Sequence, residues 1–136
     1  MSLLSDLAEA PAQRSAASRF TSACGLLYMA AGLSMLAWPG QVQVLFGERA
    51  FVGSEAALVR VIGMLIAIVG WFYFFGGRTG GRQFVAATVL DRLVLVPLVL
   101  VPIALAGVFP KTMLLFAVLD PALALVAWHL LARRRT

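Results

Sequence analysis

Apolar residues fill this chain in four long runs, broken only by isolated polar positions. The runs cover roughly 17–38, 54–75, 83–108 and 112–132. A helix crosses a bilayer with about 20 mostly apolar residues, and all four runs reach that length. The pattern therefore predicts an all-α fold, a four-transmembrane-helix bundle over 17–132. An N-terminal tail over 1–16 and a basic end over 133–136 flank it. Residues 107–111, with Phe109 and Pro110, read as a tight turn, and 39–53 is the one long connector. Its Gln41-Val42-Gln43-Val44 alternation suits a hairpin around Gly47-Glu48-Arg49 or a segment lying on the membrane surface. Residues 2–10 suit a short amphipathic turn stopped by Pro11.

Composition agrees. Of 136 residues, 62% are hydrophobic and 12% charged, far from the roughly half apolar and quarter charged of a soluble domain. Those figures argue against a water-soluble enzyme, a disordered tail or a nucleic-acid-binding domain, and the length holds one compact unit. The net charge of +5 has to be read by position. Arg14, Arg19, Arg78, Arg82, Arg133, Arg134 and Arg135 fall on one side of a four-helix layout, and only Arg49 and Lys111 on the other. The positive-inside rule then puts both termini and the 77–82 loop in the cytoplasm, with the bundle in the inner (plasma) membrane. This asymmetry accounts for the basic charge without a nucleic-acid partner. Because the first run lacks a small-residue cleavage site after its flanking arginines, it reads as a retained signal-anchor helix.

Ionisable groups inside a membrane span are costly and usually face the bundle interior with a partner. Four charged residues lie deep within the runs, away from their ends: Arg60, Asp91, Arg92 and Asp120. In the second run Ala56, Arg60, Gly63, Ala67 and Gly70 form a small-residue stripe, which points Arg60 inward. Ala117, Asp120, Ala124 and Ala127 repeat the pattern in the fourth run, and Gly25, Tyr28 and Gly32 in the first. The expectation is one network near the midplane, pairing Asp91 with Arg60, or Arg92 with Asp120 or Tyr28. Glu55 follows Ser54, a candidate N-cap, at the mouth of the second helix. Pro97, Pro102 and Pro121 each remove a backbone donor, and kinks beside buried charges open cavities for polar groups.

Each of these features also has a purely structural reading. Arg–Asp pairs can serve only to dock helices, and prolines kink membrane helices without further purpose. The run from Trp71 to Phe75 reads as an interfacial aromatic belt and His129 as an interface anchor. The glycine-rich loop from Gly76 to Arg82 lacks the Lys-Ser/Thr ending of a phosphate-binding loop. Gly25 and Gly32 share their spacing with Gly63 and Gly70, for which chance is the simpler explanation. Cys24 stands alone, as does His129, so neither an intrachain disulfide nor a metal or cofactor site is expected.

Several short motifs resemble the BphX-like family, small four-helix membrane proteins encoded among biphenyl-degradation genes. They are Trp38-Pro39-Gly40, Phe51-Val52-Gly53 with Glu55, Arg60 with Gly63, and Gly70-Trp71. Gly76-Gly77-Arg78, Asp91-Arg92, Val96-Pro97-Leu98, Phe109-Pro110 and Asp120-Pro121 extend the resemblance over about residues 20 to 130. More distantly the layout is similar to DoxX-type membrane proteins, which also carry an Arg early in the second helix and an acid in the last. The biphenyl setting implies a lipophilic aromatic ligand but no settled activity.

Three functions compete. The first is binding of a small hydrophobic, even aromatic, compound in a polar-centred cavity bordered by Tyr28, Glu55, Arg60, Asp91, Arg92 and Asp120, for which a homodimer would help. The second is a membrane-embedded acid–base enzyme, an isomerase, cyclase or hydrolase, with Asp91 or Asp120 as the catalytic carboxyl. The third is an accessory subunit of a membrane or catabolic complex.

Overall fold

The computed structural model describes residues 8–9 and 11–133, so the turn expected over residues 2–10 falls mostly outside the described residues, as do Arg134 and Arg135. Among the described residues the fold is all-helical, without strands. Helix α1 spans Ala16–Ala37, a short α2 Gln41–Phe46, and α3 Glu55–Arg78. The third long span runs as α4 (Arg82–Leu90), a π-helical turn (Asp91–Leu95) and α5 (Val96–Leu105), and α6 (Pro110–Ala132) closes the bundle. Four of these spans are long and apolar enough to cross a membrane. Their outward faces are apolar too, with Phe72, Leu98 and Val118 exposed at 61%, 67% and 69%. Water would make such a surface untenable, whereas lipid suits it. The chain is a multi-pass membrane protein.

Local signals explain the helix ends. Ser15 caps α1 by accepting a hydrogen bond from the Ser18 amide at 2.8 Å. Just beyond α3, Gly80 adopts a left-handed φ of 73°, a conformation that turns the chain sharply towards α4. The connector after α1 contains a short helix, not a hairpin: Val42 packs inward while Val44 and Leu45 stay exposed. Ser54 occupies the N-cap position of α3 without a side-chain cap bond.

The bundle is assembled around α1. Its Gly25 and Gly32 lie directly against Gly70 and Gly63 of antiparallel α3, backbone to backbone. A Cβ added to Gly70 would meet the Met29 amide nitrogen at 2.5 Å, and one at Gly63 would meet the Gly32 carbonyl oxygen at 2.7 Å. Gly77 continues the seam against Ser18 and Ser22, where the Ser22 hydroxyl donates to the Phe74 carbonyl at 3.1 Å. The matching spacing of the four glycines is thus a packing register. Lipid gives helices no hydrophobic reason to associate, so close backbone approach supplies the attraction.

Helix α6 packs on α5, on α4 and on α1, burying Ala117, Ala124 and Ala127 as its periodicity indicated. In contrast, α3 and α5 barely touch. Overpacking the glycine seam should cost roughly 1–3 kcal/mol per methyl group. Gly63→Ala and Gly70→Ala are each expected to lower the melting temperature of the detergent-solubilised protein. A double variant no less stable than the wild type would show that the seam is not tight.

Candidate functional site

The gap between α3 and α5 is a cavity of about 500 Å³. Its walls are apolar: Ile62, Leu65, Ile66 and Val69 from α3 stand opposite Leu95, Val99 and Ile103. Ile62, Leu65, Leu95 and Val99 are also exposed on the molecular surface, so the cavity opens sideways into the surrounding hydrocarbon. Tyr28, Tyr73, Asp91 and Asp120 form the polar end of the cavity. Asp91 lies nine residues into the third span and Asp120 ten into α6. At 1.5 Å per residue both stand about 14–15 Å deep, near the middle of a ~30 Å slab.

These polar groups are paired. The Tyr28 hydroxyl donates to Asp120 Oδ1, and the Tyr73 hydroxyl donates to Asp91 Oδ2 at 3.2 Å. The two rings meet edge to face, 5.7 Å between centroids at 77°. Behind the Tyr73 ring sits the Arg92 guanidinium, 5.0 Å from its centroid and only 1% exposed. Its Nε donates to the Thr88 carbonyl at 3.0 Å and Nη2 to the Thr88 hydroxyl at 3.2 Å, while Nη1 is buried without a hydrogen bond. Cys24 is buried within electrostatic reach of Arg92 and Asp120.

The π turn positions Asp91 and Arg92. Pro97 has no amide hydrogen, and its ring crowds the carbonyl one turn earlier. Widening the helix over Asp91–Leu95 relieves that conflict, and the Val96 amide bonds to the Asp91 carbonyl five residues back. Neighbours on a helix ordinarily point ~100° apart, yet Asp91 and Arg92 reach the same tyrosine, one at its hydroxyl and the other at its ring.

Of the six candidate ligand-binding residues, Tyr28, Asp91 and Asp120 border the cavity, and Arg92 stands one ring behind it. Arg60 and Glu55 do not join them. Arg60 is exposed at the rim of the α1–α3 seam, where Nη1 donates to the Leu36 carbonyl at 3.3 Å. The expected pairing of Arg60 with Asp91 is therefore corrected, because the buried stripe of α3 is Val59, Gly63, Gly70, Tyr73 and Gly77. That stripe passes one position to the side of Arg60, and backbone contact there leaves no room for a guanidinium. Arg92 likewise bonds to Thr88 instead of Asp120 or Tyr28. Tyr73 is the residue that sequence reasoning missed. It stands in the run that reads as an aromatic belt, although its place three residues after Gly70 sets it on the seam face.

Glu55 belongs to a latch at the loop end of the bundle. It pairs with Arg49 at 2.6 Å and accepts from the Val52 amide at 2.8 Å. The hydrogen bonds that Arg49 donates to the Glu55 carboxylate raise its guanidinium pKa above the ordinary value. Arg49 also lies over the Phe109 ring, 5.1 Å from its centroid, and Phe51 packs edge to face on the same ring. Glu48 accepts from the Thr112 amide at 2.7 Å and hydroxyl at 3.0 Å, capping the first turn of α6, and Lys111 reaches the Gly47 carbonyl at 2.8 Å. The connector is thereby fastened over the loop end of the cavity, with Val42 and Phe109 forming part of its wall.

Compared with protein-family models, curated proteins and solved structures, the chain matches none.

Removing the Glu48 carboxylate should cost about 1 kcal/mol, as expected for loss of a helix cap. We expect Glu48→Ala to lower the melting temperature and to speed tryptic cleavage after Arg49, with Glu48→Gln in between. Unchanged proteolysis would mean that the latch does not restrain the connector.

Proposed function

We propose that this protein binds a small hydrophobic compound taken from the membrane, with its apolar body between α3 and α5 and its polar end at Tyr28, Tyr73, Asp91 and Asp120. The observation that carries this proposal is the cavity itself: about 500 Å³, apolar walled, with four hydrogen-bonding side chains gathered at one end. Ligand sites generally combine such walls with a few convergent polar groups. The sideways opening supports entry from lipid, and the latched connector supports closure towards water at the loop end. A BphX-like affinity would favour aromatic guests.

The same four groups support a second reading, acid–base chemistry on a lipophilic substrate. Each carboxylate already shares a hydrogen bond with a tyrosine hydroxyl, an arrangement able to relay a proton at the cavity wall. In that case Asp91→Asn and Asp120→Asn abolish turnover and leave the fold intact.

The test of binding is a thermal-shift panel of aromatic and isoprenoid compounds on the purified protein. A guest at a hundred times its Kd should stabilise the fold by about 2.7 kcal/mol. Val99→Trp, which fills the cavity from its wall, should remove that shift while the unliganded protein still melts cooperatively. No shift with any compound would sink the proposal.

We further propose an inner-membrane topology with both termini cytoplasmic, supported by Arg14, Arg19, Arg78, Arg82 and Arg133 at the terminal end against Arg49 and Lys111 at the other. A fluorescent-protein fusion at the C-terminus should be bright and an alkaline phosphatase fusion there inactive. The reverse pattern would invert the topology.

A further inference from the structure

We infer that the guest is a hydrophobic cation, a protonated amine on an aromatic or aliphatic body, whose charge is seated between Asp91 and Asp120. This rests on the binding proposed above and names the chemistry of the ligand.

The first argument is the sign of the floor. Among the described residues, the titratable side chains bordering the cavity are Tyr28, Tyr73, Asp91 and Asp120, and no Lys, Arg or His lines it. Arg92 is the nearest cation, but the Tyr73 ring separates it from the cavity and its Nε and Nη2 are spent on Thr88. With both acids ionised, one guanidinium against two carboxylates leaves the floor a positive charge short. Within hydrocarbon that deficit is expensive, and a cationic guest offsets it.

The second argument is the balance of donors and acceptors. Both tyrosine hydroxyls, the only side-chain donors on the floor, already donate to the carboxylates. What remains free is acceptor capacity, because each carboxylate can take several hydrogen bonds and has given only part of that to tyrosine. A carbonyl or an anion would find no free side-chain donor on the lining, since the Thr112 hydroxyl donates to Glu48 and the unpaired Arg92 Nη1 lies behind the Tyr73 ring. An ammonium group brings up to three donors and no acceptor, which complements the floor.

The third argument is access. An amphipathic amine partitions into a leaflet with its apolar body among the acyl chains, from which the opening between α3 and α5 can admit it.

Calorimetric titration of the full-length protein in nanodiscs tests the assignment with phenylbutylammonium, phenylbutanol and phenylbutanoate, which share a body and differ in charge. The ammonium is expected to bind at least tenfold more tightly than the alcohol, with the carboxylate weakest. Asp91→Asn and Asp120→Asn should each erase most of that advantage, so that the ammonium and the alcohol bind the same variant about equally. Alcohol binding as tight as the ammonium would overturn the cation assignment while leaving the cavity as a binding site. Failure of all three probes would overturn both. The ranking in wild-type protein decides the matter even where a variant fails to fold.

Discussion

Backbone contact between α1 and α3 is the constraint on which this bundle depends. Gly25 and Gly32 press against Gly70 and Gly63 so closely that a methyl group at any of them would collide with main chain. Helices in lipid must attract one another by packing, and this seam is where these two come nearest. Its tightness also sorts the polar residues. Arg60 is left at the rim, bonded to the last turn of α1, and the tyrosines at the edge of the seam turn towards the π turn and α6.

With α3 held on α1, and α5 held on α6, the two outer helices have nothing to pull them together. The cavity is the consequence: a gap between two well-packed pairs, floored where Tyr28 and Tyr73 meet and covered at the loop end by the latched connector. Its polar floor lies at mid-membrane depth because the acids of the third span and of α6 both sit about halfway along their helices. The void and its chemistry are therefore fixed by different elements, the void by the seam and the floor by the π turn.

Much of this was legible in the residue pattern. Four apolar runs specified the spans to within a few residues, and small-residue spacing placed Tyr28 and the Ala117–Ala124–Ala127 face inward. Partner choice was not legible. Periodicity says which face a residue occupies but not which neighbour the fold brings there, so the arginine–aspartate pairs expected from depth gave way to tyrosine–aspartate pairs. Arg60 was assigned to the interior because a stripe of Ala and Gly tolerates a small angular error, and one position separates the buried face from the rim. The Glu48–Thr112 cap spans 64 residues and left no local signature.

The π turn in the third span has one further effect. A π turn carries one residue more than the α-helix it interrupts, so it acts as an inserted phase step of about 100° along the span. The apolar wall of α5 and the buried face of α4, made by Val85, Thr88 and Val89, are thus two differently phased faces joined end to end. Removing a single residue from Asp91–Leu95 would restore an unbroken helical phase, and the wall that now borders the cavity would rotate away from it. The cavity wall of this bundle is, in that sense, written by one surplus residue.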